Sequence, residues 1–165
     1  MFTKILKSFI LISFLSLFLI GCVNNASEEV SEIHPSFIPA VYSLDDLVIT
    51  NRNQVAGGNG DLVVKYAFVR DNAPKDFTTK EMGYMTLMPG DSVGLHKHEG
   101  NEDSYLIVSG VGTYTDEDGS QYEVKAGDMT ICRSGHSHAL SNSSQSPLIF
   151  FAVLSGSNLL NLKLL

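Results

Sequence analysis

Three histidines and an adjacent pair of acids have the residue types and the spacing of metal ligands. His96 and His98 are separated by one residue, Glu102 and Asp103 follow, and His138 comes later in the chain. In an extended strand, side chains at positions i and i+2 leave the same face roughly 6.6 Å apart, so two imidazoles can converge on one cation. The pattern therefore predicts one metal ion held by side chains on β-strands.

Imidazole and carboxylate ligands together suit a divalent transition metal, which here means Mn, Fe, Ni, Cu or Zn. Ligands that are grouped on one side of the ion leave other coordination positions open to water or substrate. A metal held in this way can polarise a substrate oxygen, lower the pKa of bound water, or activate dioxygen if it is redox-active. The ligand types leave the identity of the metal open, because the affinity order is set by the metals themselves.

The elements that must position these side chains are short strands. Seven segments rich in β-branched and aromatic residues are predicted to be strands: 62–69, 82–88, 105–108, 111–114, 122–124, 129–132 and 148–153. Turn-forming residues separate several of them, at 89–91, 118–119 and 126–128. The 165 residues suffice for one domain. Without convincing amphipathic helices between the strands, the pattern indicates an all-β antiparallel sandwich or barrel.

The spacing of glycines around these ligands forms two motifs. In the first, five residues separate Gly90 from His96, and the acid Asp103 follows His98 after four residues and precedes Gly110 by six. The second runs from Gly127 through Arg133, Gly135 and His138 to Asn142. Together the motifs resemble the two signature motifs of the cupin superfamily in order and spacing. The second motif departs from the family pattern at Arg133, where the family usually has proline.

The first motif also departs from the family pattern at its acid, which is usually glutamate. Counting back from Gly110 places Asp103 at this position, and Glu102 fits the shorter spacing that the family also permits. Adjacent strand residues point to opposite faces, so only one of the two enters a barrel unless the backbone bulges. Asp103 is the predicted carboxylate ligand, and Glu102, which has the longer reach, is the alternative.

The resemblance implies a single-domain antiparallel jelly-roll barrel whose metal is held by His96, His98, His138 and one acid. Cupin relatives include dioxygenases, decarboxylases and isomerases, so the expected function is a metal-dependent enzyme acting on a small polar or carboxylate-bearing molecule. The alternative is a non-catalytic module that binds a small ligand such as a sugar. An enzyme is expected to have a second acid or base beside an open coordination position, whereas a binder could have a saturated metal. The resemblance is also compatible with a homodimer.

Other residues are predicted to line or support the interior. Tyr105 and Ile107 share strand parity with Asp103, so they face the same side, and His136 could share the face of His138. Asn142 is expected to bond turn backbone, as such side chains commonly do. Cys132 lies in an apolar strand-like run and is predicted to be a buried structural thiol.

The N-terminus has the features of an export signal. Lys4 and Lys7 precede an apolar run that ends at Gly21 and Cys22, which resembles a bacterial lipoprotein signal. This reading predicts a signal peptide at 1–21, a flexible tether at 22–35, and the barrel with its arm and tail at 36–165. Cys22 would carry acyl chains such as palmitate and attach the exported protein to the cell membrane or outer membrane. The alternative is a retained membrane helix, although the apolar run is shorter than the roughly 20 residues that span a bilayer.

The charge of the chain excludes one class of partner. The whole chain has a net charge of −7, and loss of Lys4 and Lys7 with a signal peptide would make it more negative. Nucleic-acid binding requires clustered lysines and arginines, so no nucleic acid partner is expected.

The leucine-rich segment 157–165 could form a short helix or a last strand that covers apolar surface.

Overall fold

The computed structural model describes residues 40–73 and 77–156 of the chain. Within these ranges, no helix is both long enough and apolar enough to cross a bilayer. The signal peptide predicted at 1–21, the lipidation site at Cys22, the tether at 22–35 and the tail at 157–165 lie outside the described residues.

Antiparallel strands make up most of the described chain. In order they are β1 (Val48–Asn53), β2 (Asp61–Phe68), β3 (Thr79–Leu87), β4 (Ser92–Lys97), β5 (Asn101–Ser109), β6 (Val111–Asp116), β7 (Gln121–Lys125), β8 (Met129–Cys132), β9 (Ser137–Ser141) and β10 (Leu148–Gly156). Short 3-10 turns occur at Leu44–Asp46, Val55–Gly57 and Arg70–Asn72. The prediction of an all-β antiparallel barrel is confirmed.

The strands form two sheets that face each other. The larger sheet has the order β1-β2-β3-β10-β5-β8, and the smaller has the order β4-β9-β6-β7. Neighbours in this order are far apart in sequence at several places, as where β10 inserts between β3 and β5. Residues that are far apart in the sequence therefore lie on neighbouring strands.

The hydrophobic core follows from the two-residue period of these strands. On β2 the side chains of Leu62, Val64 and Tyr66 are buried, and the intervening residues are more exposed. On β10 the same alternation buries Leu148 and Phe150. Burial of one such large apolar side chain contributes about 1.5–3 kcal/mol to stability, so the alternation selects a single face for each strand.

All seven predicted strands are present, as β2, β3, β5, β6, β7, β8 and β10. Three further strands, β1, β4 and β9, are not among the segments predicted from composition, although the histidine spacing predicted strands at His96 and His138. Their sequences, VITNRN, SVGLHK and SHALS, contain glycine, asparagine, serine or lysine, which lower β-propensity. Pairing with neighbouring strands makes these segments extended, which a local sequence pattern does not encode.

Two predicted supporting roles agree with the structure. The side chain of Asn142 donates hydrogen bonds to the carbonyl oxygens of Leu87 and Ser146, at 2.9 and 2.8 Å, and its oxygen accepts one from the backbone of Ser144. Cys132 is buried with a free thiol, and burial raises the pKa of that thiol to about 11. A thiol that stays protonated is a poor nucleophile, in agreement with a structural role.

Close backbone packing holds β4 against the turn at Val55–Gly57. A Cβ atom added at Gly94 would lie 2.2 Å from the carbonyl oxygen of Ala56 and 2.8 Å from the backbone nitrogen of Gly58. Both neighbours are backbone atoms, so neither can rotate away. Glycine at this position allows β4 to approach the turn, two residues before His96.

We expect Gly94→Ala to lower the free energy of unfolding by about 3 kcal/mol, because the added methyl group overlaps backbone that cannot relax. Chemical denaturation measures this loss. Gly119→Asn is the matched control, since Gly119 has open space around it and a φ of +85°, a conformation that asparagine tolerates. Equal losses in the two variants would contradict the close-packing account.

Candidate metal centre

Strand pairing brings the three histidines of the motifs together. His96 on β4 lies directly opposite His138 on β9 in the antiparallel register. The pairing continues past the end of β4, because the backbone nitrogen of His98 donates to His136 and the carbonyl of His98 accepts from Gly135, at 2.9 and 2.7 Å. The smaller sheet thus supplies all three imidazoles.

The fourth member of the group comes from the opposite sheet. Asp103 lies on β5, and its Oδ2 is 3.8 Å from Nε2 of His98 and 3.7 Å from Nε2 of His138. Nε2 of His98 is itself 3.1 Å from Nε2 of His96 and 3.0 Å from Nε2 of His138. One ligand atom from each of the four residues lies within 4.8 Å of the others, and His96 is the most exposed member. The group could hold one metal ion.

The hydrogen bonds made by Nδ1 of His96 and of His98 determine the tautomer of each ring and therefore what its Nε2, which faces the centre of the group, can donate or accept. Nδ1 of His96 lies 2.9 Å from the carbonyl oxygen of Gly94, which can only accept, so this nitrogen carries the proton. Nδ1 of His98 likewise donates to Oδ1 of Asn101 at 2.7 Å. In the neutral form of each ring, Nε2 therefore offers a lone pair toward the centre of the group, as a metal ligand does.

The separations between the histidine nitrogens fit ligands of one ion. With metal–nitrogen bonds of about 2.1 Å, neighbouring ligands at right angles lie roughly 3.0 Å apart. The distances of 3.0 and 3.1 Å between the Nε2 atoms agree with this arrangement. The residues present therefore fit a divalent transition metal in both donor type and spacing.

His138 is positioned by aromatic rings. Tyr105 stacks on its imidazole at 5.2 Å between ring centroids, and Tyr114 meets it edge-on at 5.6 Å. Nδ1 of His138 is buried and has no hydrogen-bond partner among the described residues. Burial, with a smaller effect from the neighbouring His96 and His98, lowers the pKa of His138 to about 3. The ring is therefore neutral at physiological pH, as a metal ligand must be.

Burial changes the pKa of Asp103 in the opposite direction, because it disfavours the charged form of the carboxyl group. It raises the pKa of Asp103 to about 6, although the hydrogen bond from Tyr105 and the charge of His96 both lower it. Burial and the adjacent Asp103 together raise the pKa of Tyr105 well above its usual value. In the absence of a metal, the pocket thus holds a carboxylate whose ionisation is costly, and a cation would remove that cost.

Predicted site residues differ in where the structure places them. Tyr105 lines the cavity beside the four-residue group, whereas Ile107 is buried in the hydrophobic core. His136 lies at a separate surface depression, where its Nδ1 is 2.9 Å from Oε1 of Glu117. Glu102 lines a different, open pocket. The structure thus brings Asp103, and not Glu102, into the histidine group.

A cavity of about 220 Å³ opens beside the four-residue group. Besides the histidines and Asp103, its lining includes the charged residues Arg52, Arg70, Glu81 and Lys97. Arg52 contacts both carboxylate oxygens of the buried Glu81 at 3.3 Å, and its guanidinium carbon lies 4.9 Å from the centre of the Tyr66 ring. Lys97 also pairs with the exposed Glu99 at 3.1 Å.

Sequence reasoning missed Arg52, Arg70, Glu81 and the hydrogen bond from His98 to Asn101. One signal was present for Glu81, because it shares strand parity with the buried Met85 and Leu87 and is therefore an acid on an apolar face. No local signal marks Arg52, since β1 itself was not predicted. Arg52, Arg70 and Glu81 lie outside both motifs and reach the cavity only through the fold.

Comparison with known proteins agrees with the fold. The family model for the cupin domain matches residues 83–154. A protein from Thermotoga maritima named "Oxalate-binding protein" is 36% identical over 102 residues, which cover 62% of this chain and 82% of that protein. The chain belongs to the cupin superfamily.

Solved cupin structures support the same assignment. A Thermotoga maritima protein described as a "predicted oxalate decarboxylase" has a TM-score of 0.62 and 31% identity, and the match covers 70% of this chain and 98% of that one. A Klebsiella pneumoniae protein with a double-stranded β-helix domain has a TM-score of 0.55 and 23% identity, over 73% of this cupin and 93% of that chain. The second likeness concerns the fold alone.

Asp103→Asn tests the electrostatics of the metal-free site. The folded protein holds the Asp103 proton more tightly than the unfolded chain does, so stability falls as the pH rises from about 4 through about 6. With a chelator present at about pH 8, we expect the free energy of unfolding of Asp103→Asn to exceed that of the wild-type protein by roughly 3 kcal/mol. This difference should vanish near pH 4. His138 titrates in both proteins, so its contribution cancels.

Chemical denaturation at several pH values measures the difference. Glu102→Gln is the control, because it neutralises the adjacent carboxylate outside the four-residue group, and no comparable gain is expected. A gain for Asp103→Asn that does not change with pH would contradict the raised pKa. Saturating metal should reverse the order of stability, since only the wild-type protein offers the carboxylate.

Proposed function

We propose that this cupin holds one divalent transition metal through His96, His98, Asp103 and His138 and binds a small carboxylate at that metal. The observation on which this rests is the convergence of three imidazole Nε2 atoms, at 3.0 and 3.1 Å, beside a buried carboxylate. When bound, the metal would supply Lewis-acid coordination of the ligand's carboxylate. The cavity beside the group provides the space for that ligand.

Two observations support a carboxylate as the ligand. The names of two relatives refer to oxalate, one as a binding protein and one as a predicted decarboxylase. In addition, three basic residues, Arg52, Arg70 and Lys97, line the cavity of a chain whose net charge is −7. With a divalent metal present, positive charge exceeds the negative charge of Asp103 and Glu81, so the cavity favours an anion.

We propose that the bound carboxylate is turned over, as in a metal-dependent decarboxylase. Glu81 is the observation that favours this, because it is a second carboxylate in the same cavity and could exchange a proton with the ligand. The second candidate is binding without turnover. It is favoured by the contact of Arg52 with both oxygens of Glu81, which occupies the group that would transfer the proton.

Metal content tests the ligand set. We expect the purified protein to contain close to one metal ion per chain and the variant with both His96→Ala and His98→Ala to lose at least nine-tenths of it, because two of the four ligands are removed. Elemental analysis gives the number directly. His136→Ala is the matched control, a histidine outside the cavity, and should retain its metal. Equal metal content in wild type and double variant would refute the proposed centre.

Calorimetry with oxalate then tests the ligand. The metal-loaded protein should bind oxalate, and the same protein stripped by a chelator should lose most of that affinity. Analysis of the mixture for formate and carbon dioxide separates the two candidate functions. Turnover should be lost in Glu81→Gln if Glu81 transfers the proton. Binding without any product would favour the binding module.

We further propose that the protein is an exported lipoprotein attached to a membrane through Cys22. Support comes from the sequence alone, in which Cys22 follows a basic and then apolar N-terminal stretch. Cys22→Ser should move the protein from the membrane fraction to the soluble fraction, because acyl chains supply most of the attachment. Fractionation after a high-salt wash measures this. A variant that remains with the membranes would contradict lipidation.

A further inference from the structure

Arg52 is held in place at the wall of the cavity. Its two terminal nitrogens contact both oxygens of Glu81 at 3.3 Å, and its guanidinium lies over the ring of Tyr66. These contacts fix the plane of the guanidinium on two sides. A group that is already ordered loses little conformational entropy when a ligand binds, so Arg52 is prepared for an anion.

The guanidinium retains capacity for a ligand. It has five N–H donors, and the contacts to Glu81 use two of them. Within the described part of the chain, the other three make no hydrogen bond. The Arg52 side chain is 39% exposed, whereas that of Glu81 is only 8% exposed, so the free donors are the accessible part of this pair.

The register of the larger sheet gives the separation between Glu81, the partner of Arg52, and Asp103 of the metal centre. Leu154 on β10 pairs with Glu81 on one side and with Asp103 on the other. Glu81 and Asp103 therefore stand two strand spacings apart in one row, which is about 10 Å between their backbones. Both acids are buried and line the same cavity, and the charge of Glu81 raises the pKa of Asp103.

We infer that Arg52 binds a second anionic group of the ligand, so that the site selects a dicarboxylate whose two carboxylates are separated by several carbon atoms. The inference rests on the proposed function, because one carboxylate must be at the metal. It names the chemical class of the ligand and assigns the residue that recognises its far end.

The separation between the two anchors excludes the shortest dicarboxylate as the best ligand. Oxalate can chelate a metal with one oxygen from each carboxylate, and then both of its ends lie at the metal. No anionic group remains to reach a guanidinium beside Glu81. A chain of four to six carbons, as in succinate, glutarate or adipate, places one carboxylate at each anchor.

The cavity also leaves room beyond Arg52. A second groove of about 510 Å³ adjoins it, and the two share Arg52, Arg70 and Glu81 in their linings. Arg70 adds positive charge here and lowers the pKa of Asp103 through space. A ligand that extends from the metal therefore meets positive charge at the junction of cavity and groove.

Paired ligands that differ in one group test the inference on the metal-loaded full-length protein. Glutarate and pentanoate have the same chain length, and only glutarate carries the second carboxylate. By calorimetry we expect glutarate to bind about 10- to 100-fold more tightly than pentanoate, the range of a charge-assisted contact. Glutarate should also bind more tightly than oxalate. A glutarate-to-pentanoate ratio near one overturns the inference without any variant.

Variants then assign the preference to Arg52. The double variant R52Q/E81Q removes both charges and leaves two amides that can still bond each other, so no buried charge is left unpaired. Its glutarate-to-pentanoate ratio should fall to near one, while its metal content stays within twofold of wild type, because neither residue belongs to the ligand group. R52K, which keeps the charge and loses the fork, should show an intermediate ratio. R133Q is the control, an arginine outside the cavity, with the wild-type ratio expected.

The outcomes separate this inference from the proposed function. If carboxylates bind only to the metal-loaded protein, but R52Q/E81Q keeps the wild-type ratio, the proposed function stands and the role of Arg52 is overturned. If carboxylates do not bind, or bind equally after the metal is removed, the proposed function fails and the inference fails with it.

Discussion

The interior of this barrel depends on three imidazole Nε2 atoms that converge beside a buried carboxylate. Such a group is costly by itself, because burial disfavours the charged forms of both His138 and Asp103, and a cation would offset the cost at Asp103. The surrounding structure therefore has to hold the group in position. Backbone pairing of β4 with β9 places His96 opposite His138, and the carbonyl of Gly94 and the amide of Asn101 orient two of the rings. A bound metal would therefore also stabilise the fold.

The two sheets contribute different chemistry to the site. The smaller sheet and its continuation at His98 provide the imidazoles, whereas the larger sheet provides Arg52, Glu81 and Asp103. Side chains alternate between core and surface along each strand, so a charged residue at an inward position lies among apolar neighbours. The cost of burying Glu81 is offset by Arg52, and a bound metal would offset the cost of burying Asp103. A ligand that binds between the sheets then meets imidazoles on one side and charges on the other.

The sequence was most informative where function imposes fixed spacing. The two motifs located His96, His98 and His138, counting back from Gly110 selected Asp103 over Glu102, and strand parity placed Tyr105 inside. Seven strands followed from β-branched and aromatic composition. The strands β4 and β9, which contain His96 and His138, have polar sequences and become extended through pairing with distant segments. Arg52 was missed because β1 was not predicted, and Glu81 because β1, β3 and β5 meet around the cavity only after the chain has folded.

The contact between Arg52 and Glu81 links the choice of ligand to the question of turnover. While Arg52 contacts both oxygens of Glu81, that carboxylate is already occupied by a charged partner. A second ligand carboxylate at Arg52 would share the guanidinium with Glu81 and loosen this contact. Glu81 would then be more available to a long dicarboxylate than to a monocarboxylate. The same arginine can therefore make the site selective in binding and, through Glu81, selective in reaction.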